Sequence, residues 1–121
     1  MKKILIAEDS PAMRSLVIST IEALEGYEIV EAANGFEALR LLPREKVDLV
    51  ITDINMPDIN GLELIRYIRS NGNYEKIPLF IISTESSEKD LAKGLALGAN
   101  EYLIKPFDPL QLQNLLKKYL G

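Results

Sequence analysis

Four apolar runs in this chain stop abruptly on residues that could do chemistry. KKILIAED, from Lys2, ends on Glu8 and Asp9, and DLVITD, from Asp48, ends on Asp53. LFIIST, from Leu79, ends on two hydroxyls, Ser83 and Thr84, and YLIK, from Tyr102, ends on the ammonium of Lys105. If the fold brings these ends together, three acids, a hydroxyl pair and a lysine share one place. Adjacent carboxylates repel and raise one another's pKa unless a cation sits among them. Oxygen donors alone suit Mg²⁺, which favours octahedral oxygen coordination and keeps several waters. A lysine beside such an ion makes a seat for a phosphoryl group, whose oxygens the two cations neutralise while a hydroxyl donates to one of them. An aspartate in that seat can be the nucleophile and carry an aspartyl-phosphate. Asp53 is the residue this reading assigns to that role.

Each residue taken singly has a plainer explanation. An Asp after a strand often starts a turn by bonding its own backbone. Glu8 and Asp9 could be a solvated loop with a helix cap, Ser83 a satisfied strand-end hydroxyl, and Lys105 a surface lysine. The joint arrival of all of them carries the inference.

Composition narrows the chemistry further. The chain of 121 residues is 47% hydrophobic and 26% charged, which fits one domain with a real core. It contains no cysteine, so there is no disulfide framework and no thiolate metal site. Histidine is also absent, which removes the commonest general base, the commonest transition-metal ligand and any phosphohistidine carried by this chain itself. A net charge of −4 argues against direct binding of nucleic acid. No apolar run is long enough to span a bilayer, and Ile4–Ala7 is too short for a signal-peptide core, so a cytoplasmic location is expected.

The elements that must position these residues alternate along the chain. Strands are expected over Lys3–Glu8, Tyr27–Ala32, Val47–Asp53, Pro78–Ser83 and Tyr102–Ile104. Helices are expected over Ser10–Leu24 (Ser10 as N-cap, Pro11 opening the first turn), Phe36–Leu42 (ended by Pro43), Leu62–Arg69, Glu88–Leu97 (closed by Gly98) and Pro109–Leu120 (Asp108 as N-cap). Continuous apolar strands separated by helices indicate a doubly wound α/β fold with a five-stranded parallel sheet. In such a sheet, ligands bind beyond the carboxyl ends of the strands, where the acids, hydroxyls and lysine are delivered. No repeat, low-complexity tract or linker divides the chain, so residues 1–121 are expected to be one domain.

The stretches AEDS, DINMPDINGLEL, IIST and GANEYLIKPF together resemble the receiver domain of two-component response regulators, and the resemblance covers essentially the whole chain. It implies a flavodoxin-like, CheY-like sheet in the order 2-1-3-4-5 with five helices. It implies that Asp53 is a phosphoacceptor served by a sensor histidine kinase or a phosphorelay protein, and that the chain is a switch with only self-catalysed phosphorylation and dephosphorylation. Asp9, Asp53 and the backbone carbonyl of Asn55 would bind Mg²⁺ directly, and Glu8 through a water. Ser83 matches the switch hydroxyl, Lys105 the partner of a phosphoryl oxygen, and Tyr102 the aromatic that reports the state of Ser83. The Lys105-Pro106 bond matches one that is cis in the family. The output surface would be the fourth helix, fifth strand and fifth helix, acting on a downstream target protein. EDSPAMRSLV, with Met13 and Arg14, looks closest to the chemotaxis and motility branch, whose targets include flagellar machinery.

One departure stands out. The family usually has Ala or Gly after the switch hydroxyl, where this chain has Thr84, a β-branched residue expected to crowd the rim of the phosphoryl site. Glu85, next along, is a candidate for orienting water. Three other readings fit less well. A haloacid dehalogenase-type hydrolase would need an acid at position 55, which is Asn55. A flavodoxin-type cofactor binder would not place Glu8 and Asp9 where a phosphate must sit. An interaction module that had lost phosphorylation would not need the intact set of acids, hydroxyl and lysine.

Overall fold

The computed structural model describes residues 1–84 and 88–121; Glu85 and its proposed role lie outside the described residues. Its elements alternate as β1 (Lys2–Ala7), α1 (Pro11–Glu22), β2 (Tyr27–Ala32), α2 (Gly35–Glu45), β3 (Leu49–Thr52), α3 (Gly61–Ser70), β4 (Leu79–Ser83), α4 (Glu88–Leu97), β5 (Glu101–Ile104) and α5 (Pro109–Leu120). The sheet is parallel, in the order β2-β1-β3-β4-β5. Both faces are covered, which is why the central strands β1, β3 and β4 read as apolar runs from Ile4, Leu49 and Leu79. Successive strand residues point to opposite faces. Leu5, Ala7, Val50, Leu79 and Ile81 pack with Ala38 and Leu42 of α2, Leu64, Ile65 and Ile68 of α3, and Leu91 of α4. Ile4, Ile6, Leu49, Ile51, Phe80, Ile82 and Leu103 pack with Val17 and Ile21 of α1 and Leu112 and Leu116 of α5.

The helix starts follow their capping residues. Ser10, Asn34, Asn60 and Asp108 each accept a backbone N–H in the first turn, and Asn60 with Glu63 forms a reciprocal capping box. The expectation that Pro43 ends the second helix is not met. The helix continues to Glu45 and closes at Lys46, which adopts the left-handed conformation. Proline lacks one N–H, so it removes a single ladder bond. This close to the end, that loss does not stop the last turn. At the site, β1 ends at Ala7 and β3 at Thr52, so Glu8 and Asp53 are the first residues beyond their strands rather than the last within them.

Gly61 fixes how closely α3 approaches the site. A Cβ at this position would collide with the carbonyl of Asp53, and its N–H donates to the Ile54 carbonyl at 2.8 Å. Only glycine lets the first turn of α3 lie against the backbone of the residue on which the site is built.

Candidate functional site

Parallel pairing brings the strand ends to one edge. Ala7 is in register with Thr52, Thr52 with Ile81, and Ser83 with Ile104. The residues beyond them therefore converge: Glu8 and Asp9 after β1, Asp53 after β3, Ser83 and Thr84 at the end of β4, and Lys105 after β5. Backbone bonds hold the ends in place, with Asp53 N–H donating to Ala7 at 3.0 Å, Glu8 N–H to Ala32 at 3.0 Å, and Lys105 N–H to Ser83 at 2.7 Å.

Glu8, Asp9 and Asp53 each present a carboxylate oxygen, and these lie within 4.8 Å of one another. Glu8 and Asp53 are buried, 3% and 6% exposed, whereas Asp9 faces solvent. Lys105 Nζ reaches Glu8 Oε1 at 2.8 Å and donates to Asp53 Oδ2 at 3.2 Å. The other oxygen of Asp53, Oδ1, accepts the Ile54 N–H at 2.7 Å, and Glu8 Oε2 accepts the Ser10 N–H at 3.1 Å. Burial pushes the Glu8 carboxyl above its ordinary value. Hydrogen bonds from Lys105 and the Ser10 N–H offset part of that rise, and the charge of Asp53 adds to it. Burial pulls the Lys105 ammonium down, but its bond to Glu8 and the charges of Asp53 and Glu8 outweigh this and hold it above its ordinary value. The ammonium therefore stays charged, and Glu8 bears the cost of desolvation.

Ser83 is fully buried, and its Oγ has no hydrogen-bond partner among the described residues. A buried hydroxyl without a partner costs about 1–3 kcal/mol, a cost that an acceptor arriving in the pocket would remove. Thr84, directly after β4, and Asn55, in the loop after β3, are exposed. Tyr102, on β5, is 45% exposed and lines a surface hollow with Glu88, Leu91 and Ile104. The Lys105-Pro106 bond is cis.

The donor set fits a divalent cation. It consists of oxygens alone, it is clustered closely enough for one ion to touch several, and Asp9 leaves it open to solvent. Two residues at the site were not singled out from sequence for their roles here. Gly61 stood only within the stretch DINMPDINGLEL, and Arg14 only as a mark of one branch of the family. Arg14 Nη1 donates to the carbonyl of Glu8 at 2.7 Å.

A family model described as the response regulator receiver domain matches residues 4–117. The chain belongs to this family. As a receiver domain it is 38% identical, over 120 residues, to the chemotaxis protein CheY homologue of Campylobacter jejuni, covering 98% of this chain and 92% of that protein. Chemotaxis response regulator CheY4 of Vibrio cholerae is 36% identical and superposes with a TM-score of 0.88, covering 99% of both chains. The receiver domain of a sensor histidine kinase from Pseudomonas aeruginosa, with a magnesium ion coordinated in its active site cleft, is 29% identical with a TM-score of 0.89, covering 99% of this chain and 98% of that one. The receiver fold and strand order expected from sequence are thus observed. Among the described residues, no helix is long and apolar enough to cross a membrane.

Proposed function

We propose that residues 1–121 form one receiver unit that works as a phosphorylation-dependent switch, with Asp53 as phosphoacceptor. The observation that carries this reading is the pocket itself: Lys105 Nζ lies between two buried acids at 2.8 and 3.2 Å, on the same sheet edge as a buried hydroxyl that lacks a partner. A phosphohistidine on a sensor kinase or phosphorelay protein is the donor. An Asp53 carboxylate oxygen bonds to phosphorus as the donor's N–P bond breaks, and the donor ring, already protonated on its other nitrogen, takes the electron pair and leaves as neutral imidazole. The Ile54 N–H holds the Asp53 carboxylate in place, Lys105 follows a phosphoryl oxygen, and Ser83 Oγ gains the acceptor it lacks. Glu8, Asp9 and Asp53, with the carbonyl of Asn55, are the groups that would hold Mg²⁺. When bound, the ion supplies positive charge to the phosphoryl oxygens.

Movement of Ser83 would be passed to Tyr102, whose half-exposed ring lies on the surface formed by α4, β5 and α5. Two discrete packings of that surface would distinguish the two states for a downstream protein. The chemotaxis relatives favour a target in motility machinery, and the chain's own character suits a cytoplasmic protein that binds neither nucleic acid nor membrane. In this reading the chain has no substrate beyond its own aspartate. The test is intact mass after incubation with acetyl phosphate and Mg²⁺. The wild type gains one phosphoryl group and Asp53→Asn gains none. An adduct that forms equally fast on Asp53→Asn refutes the assignment, and rapid turnover of many phosphate esters would make the chain a hydrolase instead.

A further inference from the structure

Arg14 stands in the first turn of α1, and its side chain is only 19% exposed. The guanidinium is engaged on two sides. Nη1 donates to the Glu8 carbonyl at 2.7 Å, and Nε donates to Glu31 Oε1 at 3.1 Å. The Glu8 carbonyl belongs to the peptide that joins Glu8 to Asp9. Holding it fixes the plane from which the two carboxylates diverge, Glu8 into the interior and Asp9 toward solvent. Glu31 lies near the end of β2, next to Ala32, whose carbonyl accepts the Glu8 N–H at 3.0 Å. The acidic loop is therefore tied to the end of the neighbouring strand twice, once through backbone and once through Arg14.

We infer that Arg14, anchored by Glu31, is a positioning residue that sets the relative direction of Glu8 and Asp9 for a divalent cation. The inference rests on the reading of the acid cluster as a cation seat. It has a distinctive sign. As a nearby charge, Arg14 repels a dication, so through-space electrostatics alone would make its removal tighten binding. As a pin on the Glu8–Asp9 peptide, its removal loosens binding. The two effects oppose each other, and the measured direction shows which dominates.

The experiment is calorimetric titration of Mg²⁺ into the full chain as wild type, Arg14→Met, Arg14→Lys and Glu31→Gln. Melting temperatures without divalent ions monitor the fold. Arg14→Met weakens Mg²⁺ by about tenfold, the lower end of the loss when an outer partner of a metal site is removed. Lysine keeps the charge but not the planar fork that spans both partners, so Arg14→Lys recovers only part of the affinity. Glu31→Gln, at an exposed site, weakens binding by a smaller factor. That weakening persists at about 0.5 M salt, where longer-range charge effects are screened. Wild-type affinity or tighter in Arg14→Met, or full recovery in Arg14→Lys, overturns the inference. If Arg14→Met does not fold, Glu31→Gln decides, and an effect that vanishes in salt overturns it. A wild type that binds no Mg²⁺ fails at the earlier step and overturns both readings.

Discussion

Lys105 is the cation that two buried acids share, and replacing it with methionine keeps most of the volume while deleting the charge. At an effective dielectric of about 20, contacts at 2.8 and 3.2 Å correspond to about 5–6 kcal/mol each before desolvation. The net loss is smaller, because the ammonium no longer has to be taken out of water; removing one partner of a buried ionic cluster costs about 3–5 kcal/mol. For a chain of 121 residues this lowers the melting temperature by roughly 10 °C or more when no divalent ion is present. The pH dependence has a definite sign. The Glu8 carboxyl is already raised above its ordinary value, chiefly by burial, and loss of Lys105 raises it further. A group whose folded pKa is raised binds protons more tightly in the fold. Its stability is fully present below the unfolded pKa and is lost as pH rises through the folded value. The deficit of Lys105→Met is therefore smaller at pH 5 than at pH 7. Mg²⁺ restores more stability to the variant than to the wild type, because no other cation then separates Glu8 from Asp53. Thermal melts at the two pH values, with EDTA and with Mg²⁺, measure all of this. A variant that melts within about 2 °C of wild type at pH 7 without Mg²⁺, or a deficit that widens on acidification, refutes the reasoning.

Asp9→Ala removes an exposed carboxylate, so without metal its stability stays within about 0.5 kcal/mol of wild type. It loses most of the stabilisation, about 2.7 kcal/mol, that Mg²⁺ gives the wild type at a hundredfold excess over its dissociation constant, and melting curves with and without Mg²⁺ report the difference. Thr84→Ala opens the rim of the pocket, speeding phosphorylation by acetyl phosphate and shortening the life of the adduct. If both rate constants move by less than about twofold, roughly 0.4 kcal/mol of barrier, the threonine is not a gate. The Tyr119 hydroxyl donates to Glu101 at 2.6 Å, and that bond, with burial and the carboxylate charge, raises the phenol to about 12. The stability this provides is complete below the ordinary phenol value and is lost between about pH 10 and 12. The advantage of wild type over Tyr119→Phe in chemical denaturation should therefore narrow across that window, and a constant advantage would show that the bond does not act through ionisation.

The residue types at the site were legible because parallel strands buried on both faces are continuous apolar runs, so their ends announce themselves. What could not be read was which partner each group takes. Sequence placed Glu8 toward the metal through a water, whereas in the fold it also takes the shorter contact with Lys105, at 2.8 Å against 3.2 Å to Asp53. That choice depends on how far each strand runs before its loop, which is a matter of single residues. Arg14 was invisible as a positioning group because Glu31, seventeen residues on, becomes its neighbour only when β2 pairs with β1. Gly61 drew no reading of its own because its purpose, close approach to the Asp53 carbonyl, is a tertiary distance. The sheet order came with the family resemblance and not from periodicity, which is the same for any order of the strands.

The charges of the pocket bear on why a cation belongs there. Three carboxylates facing one ammonium leave a formal charge of −2 among Glu8, Asp9, Asp53 and Lys105. A dication cancels that charge. A phosphoryl group on Asp53 replaces one carboxylate charge with about two on the phosphoryl oxygens, which makes the bare pocket more negative. Burial of Glu8 and Asp53 prevents water from screening the added charge as it would at the surface. Lys105 cannot serve the phosphoryl oxygens and Glu8 equally well, so its move toward the phosphoryl group leaves Glu8 short of a partner. The cation thus matters more once the phosphoryl group is present than before. On the proposed function, Mg²⁺ binds the phosphorylated chain more tightly than the free one, and by linkage raising Mg²⁺ shifts the phosphorylation equilibrium toward the adduct by the same factor.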